Sequence, residues 1–302
     1  MKKVGWLALA LIAACSWPAT SVRIVCSTTI VGDVVARIAG EGNGVTVLLP
    51  VDADPHAFEP TPQDLVAIAR ADVVFLSGAG LERNLDPILG TATGPVVSLS
   101  DGLELLGLDG PNHEGEKSDE HDHGEADPHV WFDPTNVGAW VDRIAAVLSD
   151  LDPAGEPAYR ARAAAYRSEL AELDAWIEEE VKRLPEERRL LVTDHAVFGY
   201  FAARYGFDQI GTVFPGLSSL AEPSARDLAA LENAIASLGV PVVFVGTTVN
   251  RSLAEQVAAD TGTEIVVVYT GSLSGPDGPA ASYLDLMRYN VTAIVNGLSE
   301  AP

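Results

Sequence analysis

One long helical pattern in the middle of the chain limits its fold more than any other feature. Between residues 158 and 184, apolar side chains recur at spacings of three and four, the period of a helix with one apolar stripe. The stripe comprises Tyr159, Ala163, Tyr166, Leu170, Leu173, Ile177, Val181 and Leu184. Because Pro153 and Pro157 precede the segment and Pro185 follows it, we predict one helix about 40 Å long, at a rise of about 1.5 Å per residue.

Strand and helix patterns alternate on both sides of this helix. Before it, strands are predicted at 22–26, 45–49, 72–76 and 95–99, and helices at 30–39, 62–70 and 135–149. After it, strands are predicted at 190–193, 209–213, 242–245 and 265–269, and helices at 196–205, 223–238, 252–261 and 282–298. Apolar runs separated by helices indicate parallel sheets covered on both faces. The sequence therefore predicts an α/β fold.

The length of the chain favours two domains, because 302 residues exceed what one hydrophobic core usually organises. We assign residues 22–150 to an amino-terminal lobe, 153–185 to the linking helix and 188–302 to a carboxy-terminal lobe. Each lobe should contain a parallel sheet flanked by helices. A single stiff helix between the lobes would allow little hinge motion. A long helix inside one domain is the less favoured alternative, because the strand pattern restarts after it.

The amino terminus has the composition of an export signal. Lys2 and Lys3 precede an apolar run that ends at Cys15 and is too short to anchor in a bilayer. The small residues immediately before Cys15 resemble the bacterial lipobox, in which the cysteine becomes the lipidated first residue. We interpret residues 1–15 as a signal peptide with a lipobox and Cys15 as a lipid anchor, which places the protein outside the cytoplasm, membrane-anchored or periplasmic. The alternative is an ordinary signal peptide cut a few residues later.

The charge of the chain limits its partners. A formal net charge of −24 argues against nucleic acid and against an anionic membrane surface, because both would repel the protein. It attracts cations only weakly and non-specifically at physiological salt. Cys26 would have no disulfide partner within the chain if Cys15 is lipidated, so we expect a buried thiol in the first strand.

The six histidines fall into two groups and indicate a metal site. The isolated ones are His56, His129 and His195, and the clustered ones are His113, His121 and His123. Imidazole is the commonest metal ligand near neutral pH. The isolated histidines lie in loops between strands and helices, where open α/β sheets bind their ligands. A metal ion that they shared would lie in the cleft between the lobes.

Four short motifs extend this pattern along the chain. They are Asp54-Pro55-His56 with residues 60–65, the segment 127–134, Thr193-Asp194-His195 with residues 198–201, and Ser282-Tyr283 with Met287, Tyr289 and Asn290. In this order and spacing they resemble the metal-binding lipoproteins of bacterial zinc and manganese ABC importers, the cluster A-I solute-binding proteins. The resemblance covers essentially the whole mature chain. It implies a two-lobed protein that carries a divalent metal ion to an ABC permease, and we expect it to act as a monomer.

The resemblance also assigns ligands to the site. In the family, the histidines of the first two motifs bind the metal and the third motif contributes histidine or glutamate, so His56, His129 and His195 are the predicted ligands. The family usually adds an aspartate after the last strand of the second lobe, and Gly271 stands at that position. We expect water as the fourth ligand, with Asp277 as the nearest alternative in sequence. Such a site should bind less tightly or release more readily, and Gly271→Asp should tighten it.

The donor atoms favour one metal over another. Three neutral imidazoles suit Zn²⁺, whereas Mn²⁺ binds more weakly and prefers oxygen ligands. Zn²⁺ is therefore the predicted cargo and Mn²⁺ the alternative. Zinc-specific members of the family often carry a histidine-rich acidic insertion before the second metal histidine, and residues 112–126 have this composition. We predict a mobile loop that collects metal at low affinity through His113, His121 and His123; the alternative is a solvated linker.

An enzyme is the competing class of function. Three histidines around a zinc-bound water are also the ligand set of zinc hydrolases and hydratases. Glu59 and Asp194 lie near ligands in the sequence and could act as a general base, but they are as readily explained as groups that orient the imidazoles. The chain has no Gly-x-Ser-x-Gly, phosphate-loop or HExxH motif. The sequence therefore favours carriage of the ion over catalysis.

Overall fold

The computed structural model of the protein describes residues 21–107 and 126–299. Cys15 and the signal segment 1–15 lie outside the described residues, as do His113, His121 and His123 and all of the 112–126 segment except its last residue. Among the described helices, none combines the length and the apolar character needed to cross a bilayer.

The first lobe is built on a parallel sheet of four strands. The strands are β1 (Arg23–Cys26), β2 (Gly44–Val47), β3 (Val73–Leu76) and β4 (Val96–Ser98), in the order β2-β1-β3-β4. Its helices are α1 (Thr29–Ala39), α2 (Pro62–Arg70), α3 (Asp86–Leu89) and α4 (Pro134–Leu151). Every residue of β3 is apolar and buried, as expected for an inner strand of a parallel sheet with both faces covered.

The linking helix α5 (Glu156–Val181) follows α4. Every residue of the predicted apolar stripe is buried, including Leu184 just beyond the end of the helix. The helix begins at Glu156 because Pro157 is compatible with a first turn, where its missing N–H group costs no hydrogen bond. The long helix predicted from the spacing of apolar residues is confirmed.

The second lobe repeats the arrangement of the first. Its strands are β5 (Leu190–Thr193), β6 (Asp208–Thr212), β7 (Val242–Gly246) and β8 (Glu264–Val268), in the order β6-β5-β7-β8. Its helices are α6 (Gly199–Tyr205), α7 (Ala225–Leu238), α8 (Ser252–Thr261) and α9 (Tyr283–Ser299). Both sheets are parallel and have the same strand order, so the predicted α/β fold with two similar lobes is confirmed.

The hydrophobic core is continuous between the lobes. Its largest cluster contains residues of β1, α1, α4 and α5 together with residues of β7, α6 and α9. Smaller clusters lie beneath α2 and α3 in the first lobe and beneath α7 and α8 in the second. The last helix, α9, packs on β8 and also on α5 and α1. The lobes are therefore joined by shared apolar packing as well as by α5.

The predicted helix beside His195 begins three residues too early. The sequence pattern starts a helix at residue 196, but α6 begins at Gly199. Residues 194–198 form a turn instead, in which the Val197 N–H donates to the His195 carbonyl at 2.8 Å and the Ala196 N–H donates to Gly216 at 2.9 Å. The bond to Gly216 is tertiary, so the local apolar pattern could not reveal it.

Candidate metal site

The three isolated histidines converge between the lobes. Their ring nitrogens lie within 4.8 Å of one another, and across the described residues this is the one group of three or more metal-ligating side chains. Nε2 of His56 is 3.2 Å from Nε2 of His129. Two nitrogens bound tetrahedrally at about 2.05 Å from one zinc ion stand about 3.3 Å apart. The spacing of these two rings therefore fits a shared metal ion.

Loops from both lobes present the three rings. His56 lies between β2 and α2, and His129 immediately precedes a short 3₁₀ turn, Val130–Phe132, that leads into α4. His195 follows β5, the second-lobe strand that ends at Thr193. The ring centroids are 5.2 to 5.5 Å apart. The structure thus brings together the three residues that the sequence predicts as ligands.

Two of the rings are held by carboxylates. His129 donates through Nδ1 to Oδ1 of Asp127 at 2.8 Å, and His195 donates through Nδ1 to Oδ1 of Asp194 at 2.7 Å. Each carboxylate oxygen also accepts the backbone N–H of the same histidine. This arrangement fixes the orientation of the ring and leaves the Nε2 lone pair for a cation. Both histidines and both aspartates are buried.

Asp194 is itself tied to the second sheet. Its Oδ2 accepts a hydrogen bond from the Gly246 N–H at 2.6 Å, at the carboxyl end of β7. A Cβ atom at residue 246 would lie 2.9 Å from that oxygen and would also collide with the Thr270 hydroxyl. Glycine at this position therefore allows the main chain of β7 to approach the carboxylate that orients His195.

His56 is presented differently. Its ring is partly exposed, and no carboxylate of the described residues is hydrogen-bonded to it. The main chain is fixed instead, because the His56 N–H donates to Oδ1 of Asp54 at 2.9 Å and its carbonyl accepts from Nδ2 of Asn84 at 3.0 Å. The expectation that Glu59 orients His56 was wrong, since Glu59 is exposed and Asp54 supplies the contact. The same expectation for Asp194 is confirmed.

Burial keeps two of the imidazoles, those of His56 and His129, in the form that binds metal. Loss of solvation, followed by the proximity of His129 and His195, lowers the pKa of His56 to about 2. Burial also lowers the pKa of His129, although Asp127 opposes that shift. Neutral imidazole is the metal-binding form of histidine, so these two ligands need not lose a proton when an ion binds at neutral pH.

The site opens to solvent on the side of His56. A cavity of about 410 Å³ lies between the lobes and is lined by His56, Asn84 and Pro128 from the first lobe and by residues 215–218 of the second. Ala126, at the end of the predicted metal-collecting segment, also lines it. Ala126 pairs with Gly107, which precedes the predicted metal-collecting segment.

At Gly271, where the family usually has aspartate, the ring of Pro55 fills the space that a side chain would need. A Cβ atom at Gly271 would lie 2.7 Å from Cδ and 3.1 Å from Cγ of Pro55. A larger side chain at residue 271 must therefore displace the proline next to His56, which removes the simple reason for expecting Gly271→Asp to tighten binding. Asp277 is exposed and is not part of the histidine group. Water as the fourth ligand stays a prediction.

Two supporting residues were not assigned these roles by the sequence analysis. Asp127 orients His129, and the hydroxyl of Tyr200 donates to the Asp127 carbonyl at 2.9 Å while it accepts from Leu106 N–H at 3.1 Å. The repeated Asp-Pro-His tripeptide was a usable signal for Asp127. The tyrosine contact joins the second lobe to the first, and no local pattern marks it.

The two similar lobes and the imidazole cluster between them are the features of a metal-binding solute-binding protein. Residues 24–297 match the family described as the periplasmic component A of the zinc-uptake complex, and the chain belongs to this family. The resemblance inferred from the four motifs is thereby confirmed. The family consists of extracytoplasmic transport components, so the protein is not a zinc enzyme, and the predicted localisation outside the cytoplasm is confirmed.

Individual relatives are named for different metals. The manganese-binding lipoprotein MntA of Halalkalibacterium halodurans is 37% identical over 280 residues, which cover 92% of this chain and 89% of MntA. The iron-binding protein YfeA of Yersinia pestis is 31% identical over 280 residues, covering 92% of this chain and 86% of YfeA. The solved periplasmic zinc-binding protein TroA of Treponema pallidum has a TM-score of 0.82 at 25% identity, covering 92% of this chain and 99% of TroA.

Proposed function

We propose that the protein captures a divalent metal ion between its lobes, that this ion is Zn²⁺, and that it delivers the ion to an ABC permease. The observation that carries the proposal is the convergence of three imidazoles, two of which are oriented by buried carboxylates. Relatives named for manganese, iron and zinc binding support a divalent cargo. A relative in Streptococcus sanguinis, named as a metal ABC transporter substrate-binding lipoprotein, supports the permease as partner.

The choice of zinc rests on the donor atoms. His56, His129 and His195 offer three nitrogens, and no carboxylate of the described residues belongs to the group. Zn²⁺ is stable with three histidines and one water, whereas Mn²⁺ has a lower affinity for nitrogen sites and prefers oxygen. Mn²⁺ is the alternative cargo, and the name of MntA is the observation that favours it.

The proposed cycle follows from the geometry of the cleft. The ion enters through the cavity beside His56, loses water molecules and binds the neutral imidazoles. The loaded protein then docks on the permease. We further propose that Cys15 carries a lipid that holds the protein near the membrane, and that the protein acts as a monomer.

Competitive metal titration tests the function and the metal together. We expect one tight zinc site per chain, with Mn²⁺ bound more weakly, and anomalous scattering at the zinc edge should place the ion among the three imidazoles. Tighter binding of Mn²⁺ would contradict the choice of metal. A tight site that persists unchanged in His195→Ala would contradict the proposed site itself.

A further inference from the structure

The loop that carries His56 belongs to the first lobe but is held by the second. The Asp52 N–H donates to the Ser272 hydroxyl at 3.0 Å, and the Ser219 hydroxyl donates to Oδ2 of Asp54. Pro55 lies against Gly271 so closely that a Cβ atom there would be 2.7 Å from the proline ring. Three contacts, made by Asp52, Asp54 and Pro55, thus join this loop to the opposite side of the cleft. We call Ser219, Gly271 and Ser272 the seat of the His56 loop.

The seat reaches His56 through Asp54. One oxygen of the Asp54 carboxylate accepts the His56 N–H at 2.9 Å, and the other accepts the Ser219 hydroxyl. The carboxylate therefore bridges the main chain of a candidate ligand and a residue of the other lobe. This bridge matters more for His56 than it would for His129 or His195, because their rings have carboxylate partners of their own.

Ser272 is a fixed part of the seat. It is buried, and its hydroxyl donates to the Leu273 carbonyl at 2.9 Å while it accepts from Asp52. The Leu273 N–H in turn donates to Thr29 Oγ1 at 2.8 Å, at the start of α1. The segment 271–273 is thus bonded to the first lobe at two places, which gives the His56 loop a rigid surface to rest on.

We infer that Ser219, Gly271 and Ser272 are positioning residues that place His56 against the other two histidines and so set how fast a bound ion escapes. Glycine at 271 lets Pro55 pack where a side chain would otherwise stand. Contact with the His56 loop then takes the place of the absent aspartate, and the packing at residue 271 leaves no room for a side chain that could bind the ion. The inference rests on the proposed function, because it concerns the placement of one of the proposed ligands.

The experiment measures zinc release from the purified full-length protein by stopped-flow mixing with excess chelator. We expect Gly271→Ala to speed release about tenfold, because overpacking by one methyl group must push Pro55 and the His56 loop away. Gly271→Asp should also speed release. In the background of Pro55→Ala, which lacks the colliding ring atoms, Gly271→Ala should change release less than about twofold. If Gly271→Asp, in a chain that keeps Pro55, releases zinc more slowly than the wild type, the inference is overturned, because residue 271 would then have room for a ligand.

A second pair of variants tests the seat without overpacking. Ser219→Ala should speed release several-fold, whereas the control Ser237→Ala should not, because Ser237 is exposed on α7 and its hydroxyl donates to the Ala234 carbonyl of the same helix. Ser219→Thr keeps the hydroxyl and should restore slow release. Should Gly271→Ala fail to fold, this pair decides the question. Equal release rates from Ser219→Ala and Ser237→Ala would overturn the inference.

One further variant separates the two proposals. His195→Ala lies outside the seat and should abolish tight zinc binding if the proposed function is correct. If His195→Ala binds zinc like the wild type, the proposed function is refuted, and the inference about the seat is refuted with it. If His195→Ala loses zinc but every seat variant releases zinc at the wild-type rate, the function stands and the seat alone is refuted.

Discussion

His129 and His195 differ from His56 in how the protein holds them. The first two are buried, and each ring donates to a carboxylate that is also bonded to the histidine main chain. His56 is partly exposed, its ring has no carboxylate partner in the part of the chain that the structure describes, and its loop rests on the opposite lobe. The site therefore consists of a preorganised pair, His129 and His195, and a third proposed ligand, His56, on the solvent side. An arriving ion would meet the pair as a fixed surface, while the contacts of the His56 loop would govern its escape.

Removal of the imidazole of His129 or His195 should have the largest effect on zinc affinity. We expect His129→Ala and His195→Ala to weaken zinc binding by more than about a hundredfold, since loss of an outer hydrogen-bond partner alone typically costs about 10- to 100-fold. His56→Ala should also weaken binding severely, but less than the other two. Titration against a chelator of known affinity measures all three. Cys26→Ser, in buried β1, is the control and should bind zinc normally. Equal zinc affinity in the three histidine variants and the wild type would refute the site.

Loss of the carboxylate partners should have the next largest effect. Asp127→Asn and Asp194→Asn keep the side-chain shape but can donate towards Nδ1, which disfavours the tautomer that leaves Nε2 free. We expect each to weaken zinc binding about 10- to 100-fold. Asp277→Asn is the matched control, because this carboxylate is exposed. A loss of affinity in Asp277→Asn comparable to that in Asp194→Asn would identify Asp277 as a ligand and would contradict the site as described.

Acid should destabilise the metal-free protein, in part through His56. The pKa of His56 is about 2 in the folded protein and about 6.5 when unfolded, so between these values the unfolded chain binds a proton that the folded chain does not. The free energy of unfolding should therefore fall as the pH drops below about 6.5, by at most about 1.4 kcal/mol per pH unit for this group. Urea unfolding of the metal-free protein at pH 7, 6 and 5 measures the slope.

The matched variant for this experiment is His56→Gln, which removes the titrating group and keeps a polar side chain. Its stability should depend less on pH than that of the wild type over the same interval. The remaining slope would include His129, whose pKa is also lowered by burial. Parallel pH profiles for His56→Gln and the wild type would show that His56 titrates similarly in both states, which would contradict the lowered pKa of His56 in the folded protein.

Deletion of residues 112–125, which make up all but the last residue of the predicted metal-collecting segment, should have the smallest effect on the tight zinc site. Asp127 and Asp194, which lie outside the deleted residues, hold the rings of His129 and His195. We expect the tight zinc stoichiometry to stay at one and the weaker additional binding to disappear. Replacement of His113, His121 and His123 by serine is the control that keeps the length. An unchanged total of bound zinc in calorimetry would refute the metal-collecting role.

Most of the fold followed from local patterns in the sequence. The strand β5 and the helices α2 and α8 have the predicted bounds, and the stripe on α5 is buried throughout. These elements were predictable because their apolar periods match the faces that the core covers. The start of α6 was not, because a bond to Gly216 in a distant loop replaces the expected first turn.

The candidate site was predictable in its residues but not in its contacts. His56, His129 and His195 stand out because few histidines occur and each lies between a strand and a helix. The orienting role of Asp194 was one of the two roles that its position next to His195 suggested. Neither the bond between Ser219 and Asp54 nor the contact of Tyr200 with Asp127 could be inferred, because each joins residues that are far apart in the chain and lie in different lobes.

Most elements, the repeat of two lobes and the three imidazoles could be predicted from the sequence, because periodicity and residue chemistry are local properties. How those imidazoles are held, and what surrounds them, depends on tertiary contacts. Gly271 is the clearest example. The sequence marks it as a missing ligand, whereas the packing of the lobes brings Pro55 against it. That contact depends on the shared core that sets the distance between the lobes, and no local pattern encodes this distance.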